Sequence, residues 1–360
     1  MKRPTVLLGM SGGVDSSVAA ALLVRQGYEV HGVTLQVWEH EDETVATTKK
    51  WQDRGCCKIG IAKFVAKQLN LQYEVIDRRQ GFRSGVIEDF ISGYAAGITP
   101  NPCVRCNERV KLLSLFEIAD AKGIDYVATG HYVRIQQDGE ERRILVSTDQ
   151  RKDQSYFLYR LNPRWLPRLI FPVGAMCKAE VWKEAEGLHL PADELKESQE
   201  ICFVSQGDYR TFLQNEWPAA RRPGAFIDTE GRQLGNHEGI AFYTPGQRRG
   251  LGIAAGERLY VQRVQPGSNT VVLGREDALY RCSCDVQDLN LFETSLLNRK
   301  TKVDVKIRYA TPASPAVLEP MDRQTLRIHF ETPQRALSPG QSAVFYQGEQ
   351  LLGGGIIQPL

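Results

Sequence analysis

Thr5-Val6-Leu7-Leu8-Gly9-Met10-Ser11-Gly12-Gly13-Val14-Asp15-Ser16-Ser17 is the stretch whose reading decides the fold. Thr5–Gly9 is an apolar run of strand length, as expected of a strand buried in a parallel sheet. A Gly/Ser turn follows, then a helical pattern over Ser16–Gln26 that Gly27 closes. Gly12 and Gly13 let the backbone approach an anion, and the helix behind them offers unpaired N–H groups and the positive end of its dipole. Ser11, Ser16 and Ser17 add hydroxyl donors, so a phosphate group is the natural ligand. The plainer alternative is a turn in which Asp15 or Ser16 caps the helix. No Lys stands at the Walker position, and G-x-x-x-x-G-K-[ST] occurs nowhere in the chain. Transfer of a γ-phosphoryl group by a Walker-type site is therefore disfavoured.

Working outward, strand and helix alternate. Glu29–Val37 reads as a strand, Ile59–Leu69 as a helix, Gln72–Asp77 as a strand and Tyr126–Thr129 as another. Gly85–Tyr94 and Val110–Lys122 read as helices with a Pro/Cys/Asn loop between them. This alternation predicts an α/β domain with a parallel sheet covered by helices. Asp138-Gly139, between Ile135 and Ile144–Val146, signals a hairpin. Ser155–Arg160 and Ala179–Glu186 are helical stretches. Beyond about Gly207 the strands shorten (Ala225–Ile227, Gln262–Gln265, Thr270–Leu273). From Val303 they recur with frequent turns (Val303–Tyr309, Thr325–Phe330, Ala343–Tyr346), which suggests a small barrel or sandwich. We expect three domains: 1–206 α/β, 207–280 small and mostly β, and 281–360 a C-terminal β-barrel.

The chain has 360 residues, 42% of them hydrophobic and 24% charged, with a formal net charge of +2. This is ordinary globular composition, so wholesale disorder, collagen and coiled coil are excluded. The near-neutral charge neither demands nor forbids a polyanionic partner. Met1-Lys2-Arg3 imitates the start of a signal peptide, but Gly9, Gly12, Gly13 and Asp15 break the apolar run behind it. The apolar stretch Val18–Val24 is too short to span a membrane. A cytoplasmic enzyme with eight reduced Cys residues is expected.

Seven motifs together carry a resemblance. They are Ser11-Gly12-Gly13-Val14-Asp15-Ser16, Asn101-Pro102-Cys103-Val104-Arg105-Cys106-Asn107 and Thr129-Gly130-His131-Tyr132. To these are added Lys152-Asp153-Gln154-Ser155-Tyr156-Phe157, Ser198-Gln199-Glu200-Ile201-Cys202-Phe203, Tyr243–Gly252 and Pro339–Tyr346. The first resembles the PP-loop of ATP pyrophosphatases, which split ATP between its α and β phosphates. The whole set resembles the tRNA-specific 2-thiouridylase family along the full chain.

That resemblance implies ATP-dependent 2-thiolation of the wobble uridine of tRNA, with AMP and pyrophosphate as products. ATP would lie on Gly9, Met10, Ser11, Gly12, Gly13, Val14, Asp15 and Ser16, with Leu35 and Gly130. Mg²⁺ would sit at the triphosphate, with Asp15 beside it. Cys202 would carry a persulfide, and Cys106 would be the nucleophile that pairs with it. The tRNA, of the Lys, Glu or Gln acceptor class, would touch Asn101, Pro102, Cys103, His131, Lys152, Asp153, Gln154, Arg308, Tyr309 and Gln341. Sulfur would come from a persulfide carrier or a cysteine desulfurase.

The chemistry is sound in its own terms. Oxide is a poor leaving group from a pyrimidine carbonyl, whereas adenylation makes that oxygen part of AMP. Two Cys residues from distant loops can then deliver sulfur and close as a disulfide. Cys106, read as adjacent to a helix start, is expected to have a lowered pKa.

Residues 142–183 carry nine Lys or Arg against three Asp or Glu, a local charge of +6. Tyr156, Phe157, Tyr159 and Trp165 are interleaved with it, which favours an RNA face with stacking aromatics over a solvated charged face. His131 reads either as a satisfied structural histidine or, with the resemblance, as a tRNA contact.

Cys103 departs from the family, which commonly has Asp or Met there, and creates a C-x-x-C. Zinc would need two more ligands, and neither Cys282-x-Cys284 nor Cys56-Cys57 has the usual spacing. A redox role for Cys56-Cys57 stays open, and Cys177, Cys282 and Cys284 read as packing residues. Gly250-Leu251-Gly252-Ile253-Ala254-Ala255-Gly256 mimics a dinucleotide fingerprint but leads into a strand, so it fails. The rivals are another PP-loop enzyme such as an amide-forming ligase, and a zinc-bearing RNA-binding module.

Overall fold

The computed structural model of the chain describes residues 3–38, 58–188, 201–204, 208–253 and 256–359. Residues 39–57, which include Cys56 and Cys57, Ser198 to Glu200, the boundary at 207 and Ala254-Ala255 lie outside the described residues. The chain forms two compact units: Met1–Val86 with Cys103–Phe203 and Glu349–Leu351, and Ile87–Pro102 with Val204–Gly348 and Leu352–Leu360.

The first unit begins β1 (Thr5–Gly9), α1 (Val14–Arg25), β2 (Glu29–Gln36), α2 (Ile59–Gln68) and β3 (Gln72–Asp77). α1 starts two residues before the expected Ser16, directly after Gly13, which is its N-cap. A helical run follows as α3 (Arg79–Phe82) and a π-helical turn Arg83–Ile87, and the chain continues as α4 (Glu88–Ala95), which belongs to the second unit. A second is α5 (Pro102–Cys106), a π-helical turn Asn107–Leu112 and α6 (Leu113–Lys122). The expected loop at 101–107 is therefore wrong. Pro102 is the first residue of a helix, where its fixed φ and missing N–H cost nothing. β4 (Tyr126–Thr129), the hairpin β5 (Val133–Asp138) and β6 (Glu141–Val146), β7 (Leu169–Ile170) and α7 (Lys178–Glu186) complete it.

The sheet order is β3-β2-β1-β4-β7, with every pairing parallel. The chain runs outward from β1 to β2 on one side and returns to β4 on the other. The ends of β1 and β4, where the order reverses, are where such sheets hold ligands. Gly9 stands in register with Thr129, so the turns after the two strands emerge side by side. Val6, Leu8, Val18, Ala19, Leu23, Ile61 and Val65 bury one face of the sheet against α1 and α2.

The second unit holds α8 (Tyr209–Glu216) and a four-stranded sheet of β8 (Gly224–Ile227), β9 (Gln233–His237), β10 (Tyr260–Gln265) and β11 (Thr270–Gly274) in the order β10-β11-β8-β9. It also holds β12 (Tyr280–Leu291), β13 (Thr301–Lys306), β14 (Ser314–Pro320), β15 (Leu326–Arg335), β16 (Ser342–Gln347) and β17 (Gln350–Ile357). These six run β12-β15-β14-β13-β16-β17, and the pairing of β12 with β17 closes an antiparallel barrel. Val286, Val303, Val305, Leu318, Leu326, Ile328 and Phe345 fill it. Alternation along each strand puts those side chains inside, and closure leaves no open edge. A parallel α/β domain, a small β-rich part and a C-terminal barrel were expected, and all three are present.

Candidate active site

Gly12 turns the chain with φ +75, and a Cβ there would lie 2.1 Å from the Lys58 carbonyl oxygen, so only glycine fits. That oxygen belongs to the residue whose N–H donates to Ser11 O at 2.8 Å, tying the start of α2 to the loop. Gly130, just past β4, is equally confined: a Cβ would stand 2.8 Å from Asp15 C and Ser16 N. The turn after β4 thus packs directly on the first turn of α1.

Gly13 caps α1 without any side-chain hydrogen bond, which leaves the first-turn N–H groups for an anion. A Cβ on Gly13 would touch only Ser11 Oγ, at 3.4 Å, so this side of the loop is open. The expected trio of hydroxyl donors needs correction. Ser16 Oγ and Ser17 Oγ each donate to Gly13 O at 3.0 Å, and Ser17 is fully buried. Ser11 alone is exposed. Met10, Val14 and Leu35 bury their side chains in the core, so they can offer a ligand only backbone atoms or the edge of that core.

Asp15 is held by residues that the sequence reading did not single out. Lys178 Nζ, at the start of α7, lies 2.6 Å from Asp15 Oδ1, and the Tyr132 hydroxyl donates to the same oxygen at 2.7 Å. The ammonium also stands 5.5 Å from the Tyr132 ring centroid and 5.7 Å from that of Trp182.

Cys103, Cys106 and Cys202 are near neighbours: burial raises the pKa of Cys103 and Cys106, and Cys202 adds a smaller rise to each. None of the three is bridged in a disulfide. Cys202 is exposed and Cys106 is buried. Phe203 fixes Cys202 by edge-on packing against Phe82 at 5.7 Å and Trp38 at 6.2 Å.

The expected lowering of the Cys106 pKa is overturned. Cys106 is the fifth residue of the helical run that begins at Pro102 and continues through the π turn, and burial pushes its thiol up to about 12. Lys111, on the following π turn, opposes that rise for both Cys106 and Cys103. Asn107, next to Cys106, is 5% exposed, and its Oδ1 has no hydrogen-bond partner. Glu108 anchors this turn through Arg105 at 3.0 Å and Arg160 at 2.8 Å. Among the described residues, no group of three or more His, Cys, Asp or Glu is arranged to hold a metal.

The residues expected at tRNA divide. Lys152 is half-buried on a turn. Asp153 is buried, its carboxylate accepting from Ser147 N at 3.0 Å and Ser155 Oγ at 2.7 Å. Gln154 Oε1 accepts from Tyr132 N at 2.9 Å, so it supports the turn that carries His131. His131 Nδ1 lies 2.7 Å from Thr129 Oγ1, and burial lowers its pKa to about 3, leaving the ring neutral.

Two of the four expected stacking aromatics are a correction: Tyr156 and Tyr159 are fully buried core, because amphipathic rings interleaved with cations also suit a short segment packed on a sheet. Phe157 and Trp165 are half-buried, and Trp165 stacks on Phe116 at 4.7 Å. Arg308 donates to Ala336 O and Ser338 Oγ, whereas Tyr309 is 37% exposed with Lys306 Nζ 5.3 Å from its ring. Gln341 Nε2 donates to Thr99 O and Pro100 O, just ahead of Asn101 and Pro102.

Comparison with known proteins bears on this arrangement. The family model described as tRNA methyl transferase HUP domain matches residues 4–206, and the tRNA methyl transferase PRC-barrel domain matches 210–275. The aminomethyltransferase beta-barrel domain matches 281–357. The tRNA-specific 2-thiouridylase MnmA of Acetivibrio thermocellus is 44% identical, covering 99% of this chain and 100% of that protein. This chain belongs to the tRNA-specific 2-thiouridylase family.

As a 2-thiouridylase it is a tRNA-uridine 2-sulfurtransferase. The 2-thiouridylase MnmA of Pelotomaculum thermopropionicum is likewise 44% identical, over 99% of this chain and 98% of its own length. A solved 4-thiouridine synthetase–RNA complex with bound ATP matches at a TM-score of 0.33 and 14% identity, over 60% of this chain and 50% of that one, too slight a likeness to bear on function. No helix among the described residues of this 2-thiouridylase is long and apolar enough to cross a membrane.

Proposed function

We propose that this enzyme uses ATP to adenylate the C2 oxygen of the wobble uridine of tRNA and replaces that oxygen with sulfur from a persulfide on Cys202. The supporting observation is the convergence in one unit of an uncapped, glycine-built anion loop with an exposed and a buried thiol.

Val14, Asp15 and Ser16 N–H groups bind the phosphates at the head of α1. Gly9 to Ser16, Leu35 and Gly130 make up the nucleotide site. Mg²⁺, carried on the triphosphate, would neutralise its charge. Asp15 Oδ2, which accepts none of the bonds that Oδ1 does, is the oxygen facing that role.

Attack of the uridine O2 on the α phosphorus releases pyrophosphate. The terminal sulfur of the Cys202 persulfide attacks C2, and the C2–O bond breaks with AMP as leaving group. Cys106 then attacks the Cys202 sulfur, the S–S bond to the transferred atom breaks, and the thiocarbonyl forms. The transferred sulfur is reduced, the two cysteines are oxidised to a disulfide, and an external thiol reductant resets them. An exposed Cys202 suits a thiol that meets a persulfide carrier or cysteine desulfurase, and a buried Cys106 suits one that acts only on its neighbour. tRNA of the Lys, Glu or Gln class would lie along Asn101, Pro102, Cys103, His131, Lys152 and Tyr309, with Asp153, Gln154, Arg308 and Gln341 holding those segments.

Labelled ATP incubated with substrate tRNA and a persulfide source tests this reading. AMP and pyrophosphate are expected in step with 2-thiouridine, and ADP as the main nucleotide product overturns it.

A further inference from the structure

The loop Tyr243–Gly250, ahead of β10, carries two adjacent exposed arginines, Arg248 and Arg249. We propose that these two, with Arg210 and Arg221, form a basic strip on the small β-rich part of the second unit, and that it holds the phosphate backbone of the substrate tRNA without reading its bases.

Three observations carry it. First, the loop is braced. Gln247 Oε1 accepts from Thr244 N at 3.2 Å and its Nε2 donates to Arg249 O at 3.0 Å, so one side chain ties both ends of the turn. Val261 N donates to Gln247 O at 2.9 Å and Gly246 N donates to Val261 O at 2.8 Å, which fastens the loop to β10. Gly246, with φ +87, sits so close to the barrel that a Cβ would lie 2.8 Å from that of Ala336. Bracing of this kind fixes the arginine backbones before a partner arrives, so less ordering is needed on binding.

Second, the strip continues onto α8. A Cβ on Gly250 would stand 3.3 Å from Arg210 Nη1, and the Arg210 guanidinium lies 5.5 Å from the Tyr243 ring centroid, which restrains it. One turn along α8 from Arg210, Gln214 Oε1 accepts from Arg221 Nη2 at 3.3 Å. Third, among the described residues Arg210, Arg221, Arg248 and Arg249 make no salt bridge, whereas Arg232, Arg275 and Arg335 of the same unit each pair with a carboxylate. Asp208, at the head of α8, is engaged in capping it, accepting from Arg210 N at 3.0 Å and Thr211 Oγ1 at 2.6 Å. A braced surface of guanidiniums without carboxylate partners complements a polyanion, and the substrate of this family is one.

The experiment is equilibrium binding of the full chain to substrate tRNA over a range of salt concentrations, with thermal unfolding alongside. The double variant Arg248→Ala with Arg249→Ala is expected to bind about tenfold more weakly at low salt and to flatten the slope of log affinity against log salt by about one to two units, with an unchanged melting temperature. Arg248→Lys with Arg249→Lys is expected to keep the slope. Arg221→Ala, which leaves the loop untouched, is expected to flatten it by about one unit and carries the test if the loop variant unfolds. The same factor should be lost with tRNA bearing cytidine at the wobble position, and a loss confined to the uridine tRNA contradicts backbone binding. Wild-type affinity and slope in a folded double alanine variant return the arginines to a solvated face and overturn the inference. Normal tRNA binding with slower sulfur uptake from a persulfide-bearing protein assigns the strip to an acidic protein partner and overturns it as well.

Discussion

Gln341 Nε2 donates to the Thr99 carbonyl at 2.9 Å, joining the barrel's Pro339-Gly340-Gln341 turn to the residues just before Asn101 and Pro102. The same turn accepts the Thr99 N–H through Pro339 O at 2.7 Å, and Gly340, with φ +87, leaves a Cβ no room against Ile98 and Thr99. Gln341 therefore holds the segment ahead of the cysteine helix. Gln341→Ala should cost about 1–3 kcal/mol of stability, since it strands two carbonyls. Thermal unfolding checks this, and a loss of tRNA affinity with no change in melting temperature would make Gln341 a direct contact instead.

The two thiols should respond oppositely to alkylation. Cys202 is exposed, whereas burial holds the Cys106 thiol up at about 12. Below that value the Cys106 thiolate fraction rises tenfold per pH unit, so its labelling by iodoacetamide should climb log-linearly from about pH 7 to 10. Cys202 should be labelled first at every pH in that range. Peptide mapping by mass spectrometry reads both, and preferential labelling of Cys106 near neutral pH contradicts the burial described.

On the proposed mechanism Cys106→Ser and Cys202→Ser should each abolish thiolation and spare tRNA binding, because both carry the sulfur there and neither is a proposed tRNA contact. Cys103→Ser should keep most activity. Nucleoside analysis of the product tRNA distinguishes them, and an active Cys106→Ser beside an inactive Cys103→Ser would assign the role to the other sulfur.

Lys152→Ala should flatten the slope of log tRNA affinity against log salt by about one unit for each phosphate that the side chain no longer neutralises. Arg308→Ala should behave differently. Its guanidinium is engaged by Ala336 O and Ser338 Oγ, so stability should fall before the slope does. Equal slope changes in both variants would place Arg308 on phosphate.

Gly130→Ala should weaken ATP binding although the residue adds no polar group. The new methyl would sit 2.8 Å from the Asp15–Ser16 backbone, and neither the strand end nor the helix start can yield cheaply. Isothermal titration with ATP measures this, and unchanged affinity would show that the turn gives way.

Much of this is legible in the sequence because local signals and tertiary packing agree. The apolar Thr5–Gly9, the paired glycines and the run of helix formers each favour the element they occupy, and β5–β6 turns where Asp138-Gly139 signals it. The misses have a common cause. α5 spans five residues, too few to show apolar periodicity, and Pro102 reads as a breaker although it is also a good first helical residue. Tyr156 and Tyr159 look alike in sequence whether they stack on bases or fill a core. The Lys178–Asp15 pair joins positions that only the parallel sheet brings together, so no spacing rule could reveal it. The Cys106 thiol turns on α5 as well: a residue that reads as preceding a helix lies within a continuous helical run, and burial is the main influence on its pKa.

The π turn Asn107–Leu112, laid against the other at Arg83–Ile87 through Gly85 and Arg109, also makes this region sensitive to chain length. A π turn holds one more residue than an α-helical turn would, and each residue rotates the chain by about 100°. Deleting any one residue there would give a more regular, better-bonded helix and yet swing Cys106 about a quarter of the way around its axis, away from Cys202. Point substitutions across the turn leave that phase intact. A natural or engineered indel at these six positions would therefore be far more damaging than any single exchange, even while the protein became more stable.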